Sequence, residues 1–182
     1  MKRVICIIFI LLFSVRLFSQ SKEYLITSNS VGSVTLGMTI KQAIELIKPE
    51  RYERIGPGDS GFHTYIKEYD EVLFSMYSSR DQNYIINPDV KIEVISVFNE
   101  RFKTQDQVYP GMLLKEVEKK WGKLKEIVIS DADSGEYAKF EKQPKKLTLK
   151  VDGGKFKEGE RRTDKYERDG KIYCISISMY DY

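Results

Sequence analysis

The chain has 182 residues, of which 41% are hydrophobic and 31% charged, the profile of a soluble globular protein built as one domain or two small ones packed together. Its formal net charge of +3 comes from Lys2, Arg3 and Arg16; beyond residue 20 the chain carries 27 basic and 27 acidic residues, a balance that leaves no charge-driven case for nucleic acid or an anionic membrane. One histidine and, past the N-terminal segment, one cysteine are too few for a usual zinc site.

Lys2 and Arg3 precede an apolar run over residues 4–15, interrupted by Ser14. Twelve residues are too few to cross a hydrocarbon core of roughly 30 Å as a helix. The order of charges and apolar residues reads as a Sec-type signal over residues 1–19, cleaved after Ser19. The expected destination is the periplasm or the extracellular space, with no stable membrane insertion after cleavage. An uncleaved anchor extended through Leu17 and Phe18 is the alternative. Cys6 lies inside the apolar run, with no small residue ahead of a cleavage point, and does not look like a lipid acceptor. Cleavage leaves Cys174 without an intrachain partner, so stability must come from a core. Cys174 sits in an alternating run and reads as a small buried side chain.

Residues 20–30 form an N-terminal segment with a short apolar stretch, an edge strand or a tether. A first helix is predicted over residues 39–48: Thr39 is a good N-cap, Ile40, Ala43, Ile44 and Ile47 form one stripe, and Pro49 stops it. Residues 50–61 read as a loop rich in Gly and Pro. Strands follow over residues 62–69, 72–77 and 91–98. A second helix is predicted over residues 113–121, with Gly122 beyond its end. Strands return over residues 124–130, 136–141, 146–151 and 171–180. The last places Tyr173, Ile175, Ile177 and Met179 on one face and Cys174, Ser176 and Ser178 on the other. Residues 155–170 are highly charged and read as a long mobile loop.

Two stretches correspond: Gly37-Met38-Thr39 opens the first helix, and Gly111-Met112-Leu113 opens the second, 74 positions later. The expected fold is therefore α+β: an antiparallel sheet with two helices packed on one face, in a tandem helix-meander repeat. Residues 31–105 form the first repeat and residues 106–182 the second, joined in one domain. Gly37-Met38-Thr39 with Ala43, and Gly111-Met112 with Glu116-Val117 and Trp121-Gly122, resemble the β-lactamase-inhibitor-protein superfamily and the small outer-membrane assembly lipoproteins. Leu113 stands where Thr is usual, and the inhibitor's disulfides and the lipoprotein's lipid-attachment cysteine are absent. What the resemblance implies is a non-enzymatic binding module of the cell envelope or the secreted fraction.

No catalytic set emerges. Gly58-Asp59-Ser60-Gly61 resembles a serine-protease nucleophile loop, but His63 follows it by too few residues to act as its base. Carboxylates such as Asp59 and Glu68 make at most a weak hydrolase case. Asp131, Asp133 and Glu136 around Gly135 resemble the start of a calcium loop, yet Lys142 stands where the bidentate Glu is required. The default is a polar hairpin turn. No cofactor or metal is expected. Tyrosine gives contact area with a polar tip at low entropic cost. Tyr65, Tyr69, Tyr77, Tyr137, Tyr173 and Tyr180 all fall on predicted strands and form the candidate interaction surface; packing of these rings on the core is the rival reading. The expected partner is another envelope or secreted protein, bound through the exposed sheet face. The alternative is a small ligand or envelope polymer in a pocket between helix and sheet.

Overall fold

The computed structural model describes residues 22–58, 61–79 and 87–180. The signal expected over residues 1–19 and the Asp59-Ser60 pair lie outside the described residues.

A short 3-10 turn, Lys22–Tyr24, leads into three two-residue strands: β1 (Leu25–Ile26), β2 (Ser30–Val31) and β3 (Val34–Thr35). Helix α1 (Ile40–Ile47) follows. Three long strands come next: β4 (Arg51–Gly58), β5 (Gly61–Glu68) and β6 (Glu71–Ser79). Then come β7 (Val94–Val97), β8 (Lys103–Thr104) and helix α2 (Leu114–Trp121). The chain closes with β9 (Leu124–Ile129), β10 (Glu136–Phe140), β11 (Leu147–Gly154), β12 (Arg162–Thr163) and β13 (Tyr166–Ser178).

Among the described residues these strands form two sheets. The large one has nine strands in the order β12-β9-β10-β11-β13-β7-β6-β5-β4, antiparallel throughout. The small one has the order β3-β2-β1-β8, with β1 and β8 parallel. This corrects the expected α+β architecture of helix-meander repeats. The chain is sheet-dominated, and the two α-helices among the described residues span only eight residues each. Two stretches read as loops are strands. Residues 51–58 pair with β5 along the sheet edge, and residues 162–163 and 166–170 belong to β12 and β13. A strand ladder is held by backbone groups, so charged side chains at an edge do not prevent it and even protect the edge from mispairing.

Local chemistry explains the helix ends. Gln42 N–H donates to Thr39 Oγ1 (3.1 Å) and Thr39 N–H donates to Gln42 Oε1 (2.9 Å), a reciprocal capping box. α1 ends at Lys48 in the left-handed conformation (φ 44), directly before Pro49. α2 has Leu113 at its N-cap and gains no side-chain cap; Gly122 (φ 77) terminates it.

Ile40 and Ala43 of α1 and Leu114, Val117 and Trp121 of α2 join one core with Ile66, Phe74, Met76, Ile95, Val97, Leu149, Ile172, Ile175 and Ile177 of the large sheet. Ile26, Val31, Val34 and Phe102 bring the small sheet into the same core. One face of the large sheet is thereby covered; among the described residues no helix or second sheet packs on the other, the outer face.

Removing the Thr39 side chain tests the cap. Thr39→Ala should destabilise the protein by about 1 kcal/mol, read as a lowered denaturation midpoint at constant m value.

Candidate functional site

Register across β5, β6, β7, β13 and β11 aligns Tyr65, Ser75, Ser96, Ser176 and Thr148 in one row of the outer face. Ser96 and Ser176 share a hydroxyl hydrogen bond of 2.8 Å. Small side chains at the centre leave a low floor, and aromatic rings stand around it. His63 lies between Tyr65 and Tyr77, with ring centroids at 5.9 and 5.1 Å. Partial desolvation holds the His63 imidazole below its usual range.

Tyr173 reaches this face through a β-bulge. Lys150 pairs with Cys174 and the next residue, Val151, pairs with Ile172, so Tyr173 is the extra residue of β13. The expected alternation is corrected here: Ile172, Ile175 and Ile177 face the core, while Tyr173 is 57% exposed. Its ring meets Phe98 edge-on at 6.0 Å. Tyr65, Phe98 and Tyr173 line an open cleft of about 820 Å³ together with Glu71, Arg101 and Lys171. Two of its polar groups are already engaged: Arg101 is paired with Glu68, and Asn99 Nδ2 donates to Glu71 Oε2 at 2.9 Å. Lys171 makes no ion pair among the described residues.

Four of the six candidate tyrosines, Tyr65, Tyr77, Tyr137 and Tyr173, therefore share the outer face. Tyr69 does not. It sits in the β5–β6 turn with φ 52 and is 77% exposed. Tyr180 lies in the bend after β13, its N–H donating to Ser178 Oγ at 3.0 Å. Phe98 and Arg101 were missed, although Phe98 stands two residues beyond Ser96 and so on its face.

Tyr137 belongs to a polar cluster. Its hydroxyl donates to Asp133 Oδ2 (2.8 Å), as does Lys150 Nζ (2.7 Å), and Gly135 N–H donates to Asp133 Oδ1 (3.1 Å). Burial pushes the Asp133 carboxyl up, but the bonds from Lys150, Tyr137 and Gly135 outweigh it and hold the group far below the usual carboxylate range. Burial and the same carboxylate push the Tyr137 phenol up. Asp131 is paired with Arg161 at 2.9 Å, and Glu136 Oε2 accepts from Gly154 N–H at 2.7 Å, so the three acids of the calcium-like loop point to different partners. Among the described residues no three His, Cys, Asp or Glu side chains converge as metal ligands. His63 has Tyr65 and Tyr77 as ring neighbours, and Glu68 is ion-paired with Arg101.

No family model matches the chain, and no curated protein matches it. A solved structure does: the crystal structure of the uncharacterized protein yfeY from Escherichia coli aligns over 84% of this chain and 98% of that one, with a TM-score of 0.58 and 16% identity. At that identity the likeness is one of fold, and it does not bear on the resemblance to the inhibitor superfamily.

Two measurements follow from this geometry. A depressed carboxyl stabilises the fold above its ordinary value of about 3.9 and loses that contribution as the pH falls toward the folded value. Asp133→Asn should therefore flatten the fall in stability between about pH 5 and pH 2, by a modest amount because the site is partly solvated. Cys174 is buried and burial pushes its thiol up. Its reaction with a disulfide reagent should be at least about tenfold slower in the native protein than after unfolding.

Proposed function

We propose that the chain is an exported, non-enzymatic module that binds another protein on the outer face of the large sheet. The observation that supports it most is the Tyr173–Phe98 pair, held over the open cleft by a bulge that re-aims an aromatic ring out of the core. An exposed tyrosine ring set against a half-buried phenylalanine offers contact area at little entropic cost, the character of a binding anchor. The outer face and its cleft carry aromatic rings, hydroxyls, the paired Arg101 and Glu68, and Lys171, which has no ion pair among the described residues. Export rests on the signal-like residues 1–19.

The core side offers less room around α2. Leu114, Val117, Trp121, Ile127, Leu149 and Ile172 are at most 1% exposed and fill the space between α2 and the sheet. The sheet face is therefore favoured over a helix-sheet pocket at α2.

A photo-crosslinking side chain at position 173, in the cell that makes the protein, tests the reading. The expected outcome is a discrete crosslinked protein from position 173, reduced several-fold when Phe98 is changed to Ala. A crosslinker at Leu46, on the helix side and 52% exposed, should give none. Equal products from both positions, or none from 173, would overturn the proposal.

A further inference from the structure

We propose that the groove across β9, β10 and β11 is a docking site for an acidic polypeptide segment, a partner class for the same outer face; the inference rests on reading that face as a protein-binding surface. The groove measures about 510 Å³ and is lined by Lys125, Lys139, Lys145 and Lys146, with Tyr137 and Tyr180 beside them. None of the four lysines makes an ion pair among the described residues. Four ammonium groups without an ion pair around one groove set up a local positive field that steers acidic partners.

The groove's two carboxylates and its one side-chain amide each already have a partner. Glu126 is paired with Arg162 at 2.6 Å, and Glu141 Oε2 accepts from Lys123 N–H at 3.1 Å. Gln143 Oε1 accepts from Phe140 N–H (3.1 Å), and its Nε2 donates to Leu147 O (2.7 Å). A hydroxyl-rich glycan would have to share these acceptors with partners already in place, and it offers no negative charge to four ammonium groups. An occupant rich in acceptors and poor in donors fits: carboxylates or phosphates. Phosphate is favoured by backbone N–H cradles and helix N-termini. Here the central floor strand, β10, is paired on both sides, so its ladder uses the backbone groups such a cradle needs. Lysines without arginine forks act as point charges, suited to separate carboxylates along an extended chain. The tyrosine rings and Val128 add apolar contact for intervening side chains.

The test uses the mature chain and a fluorescein-labelled peptide of Glu-Val-Glu-Gly repeats, read by fluorescence anisotropy. Binding should weaken steeply with added salt. The Gln-for-Glu peptide should bind at least about tenfold more weakly. Lys139→Glu with Lys146→Glu should reduce affinity at least about tenfold, and Lys139→Gln with Lys146→Gln by less. Lys115→Glu, on the exposed face of α2, should change nothing. Equal binding of the Gln peptide, undiminished affinity in both double variants, or binding to phosphatidylglycerol vesicles without peptide binding would overturn the inference. If the position-173 crosslink persists while the lysine variants bind the peptide as before, this inference alone fails; loss of that crosslink is the failure of the broader reading.

Discussion

The architecture depends on a backbone clasp made twice. Gly37 N–H donates to Ile92 O (2.8 Å) and Ile92 N–H donates to Met38 O (2.8 Å). Gly111 N–H donates to Ile172 O (2.8 Å) and Ile172 N–H donates to Met112 O (2.9 Å). Each clasp fixes the start of a helix to the chain entering β7 or to β13 itself, and these two strands are neighbours in the middle of the large sheet. Glycine is required for the backbone, with φ of 82 at Gly37 and 93 at Gly111, and a Cβ would meet no atom at either site. A hydrogen bond contributes about 1 kcal/mol net, whereas a buried Ile, Leu or Met side chain contributes about 1.5–3 kcal/mol. The clasps therefore supply position, and Ile92, Met112, Leu114 and Ile172, all buried beside them, supply most of the energy.

Fixing the helices on one face decides what the other face becomes. Every second residue of the central strands is committed to the core, and the alternate residues need not be apolar. They are Ser75, Ser96, Ser176 and Thr148, so the outer face has a low hydroxyl floor. Bulges disturb the alternation at several points, and two of them re-aim large side chains. One inserts Leu73 opposite the Ile66–Lys67 step, and Leu73 packs on the core. The other inserts Tyr173 and sends it outward. The same local device thus adds an apolar side chain to the core in one place and an aromatic ring to the outer face in the other.

Local chemistry was legible in the sequence; long-range register was not. Thr39, Lys48-Pro49 and Gly122 mark the helix ends through bonds within a few residues, and they lie close to where periodicity puts them. Residues 51–58 were misread because Gly-Pro-Gly at their end resembles a turn, while an edge strand needs no apolar pattern. Residues 166–170 were misread because their charges conceal a ladder in which Tyr166 pairs with Gly154. The bulge at Tyr173 leaves no mark in a period-two pattern, because only the partner strand shows which residue is extra. The lysine groove has the same character. Lys125, Lys139 and Lys146 belong to different elements and come together only through the pairing of β9, β10 and β11.

The charge balance of the chain sharpens what the outer face can do. Ion pairs such as Arg162–Glu126, Arg161–Asp131 and Lys150–Asp133 tie many of the charges around β9–β12 to nearby partners. Exposed pairs of this kind contribute at most about 1 kcal/mol each to stability, so their consequence is mainly electrostatic: they remove acids that would otherwise neutralise the groove. Glu126 shows this most directly. It lies within the groove, and Arg162 of β12 neutralises it there. Arg162, from the charged segment after β11, thereby offsets one of the groove's two carboxylates, and with Glu141 as the other the four lysines still leave the groove positive beside an aromatic surface.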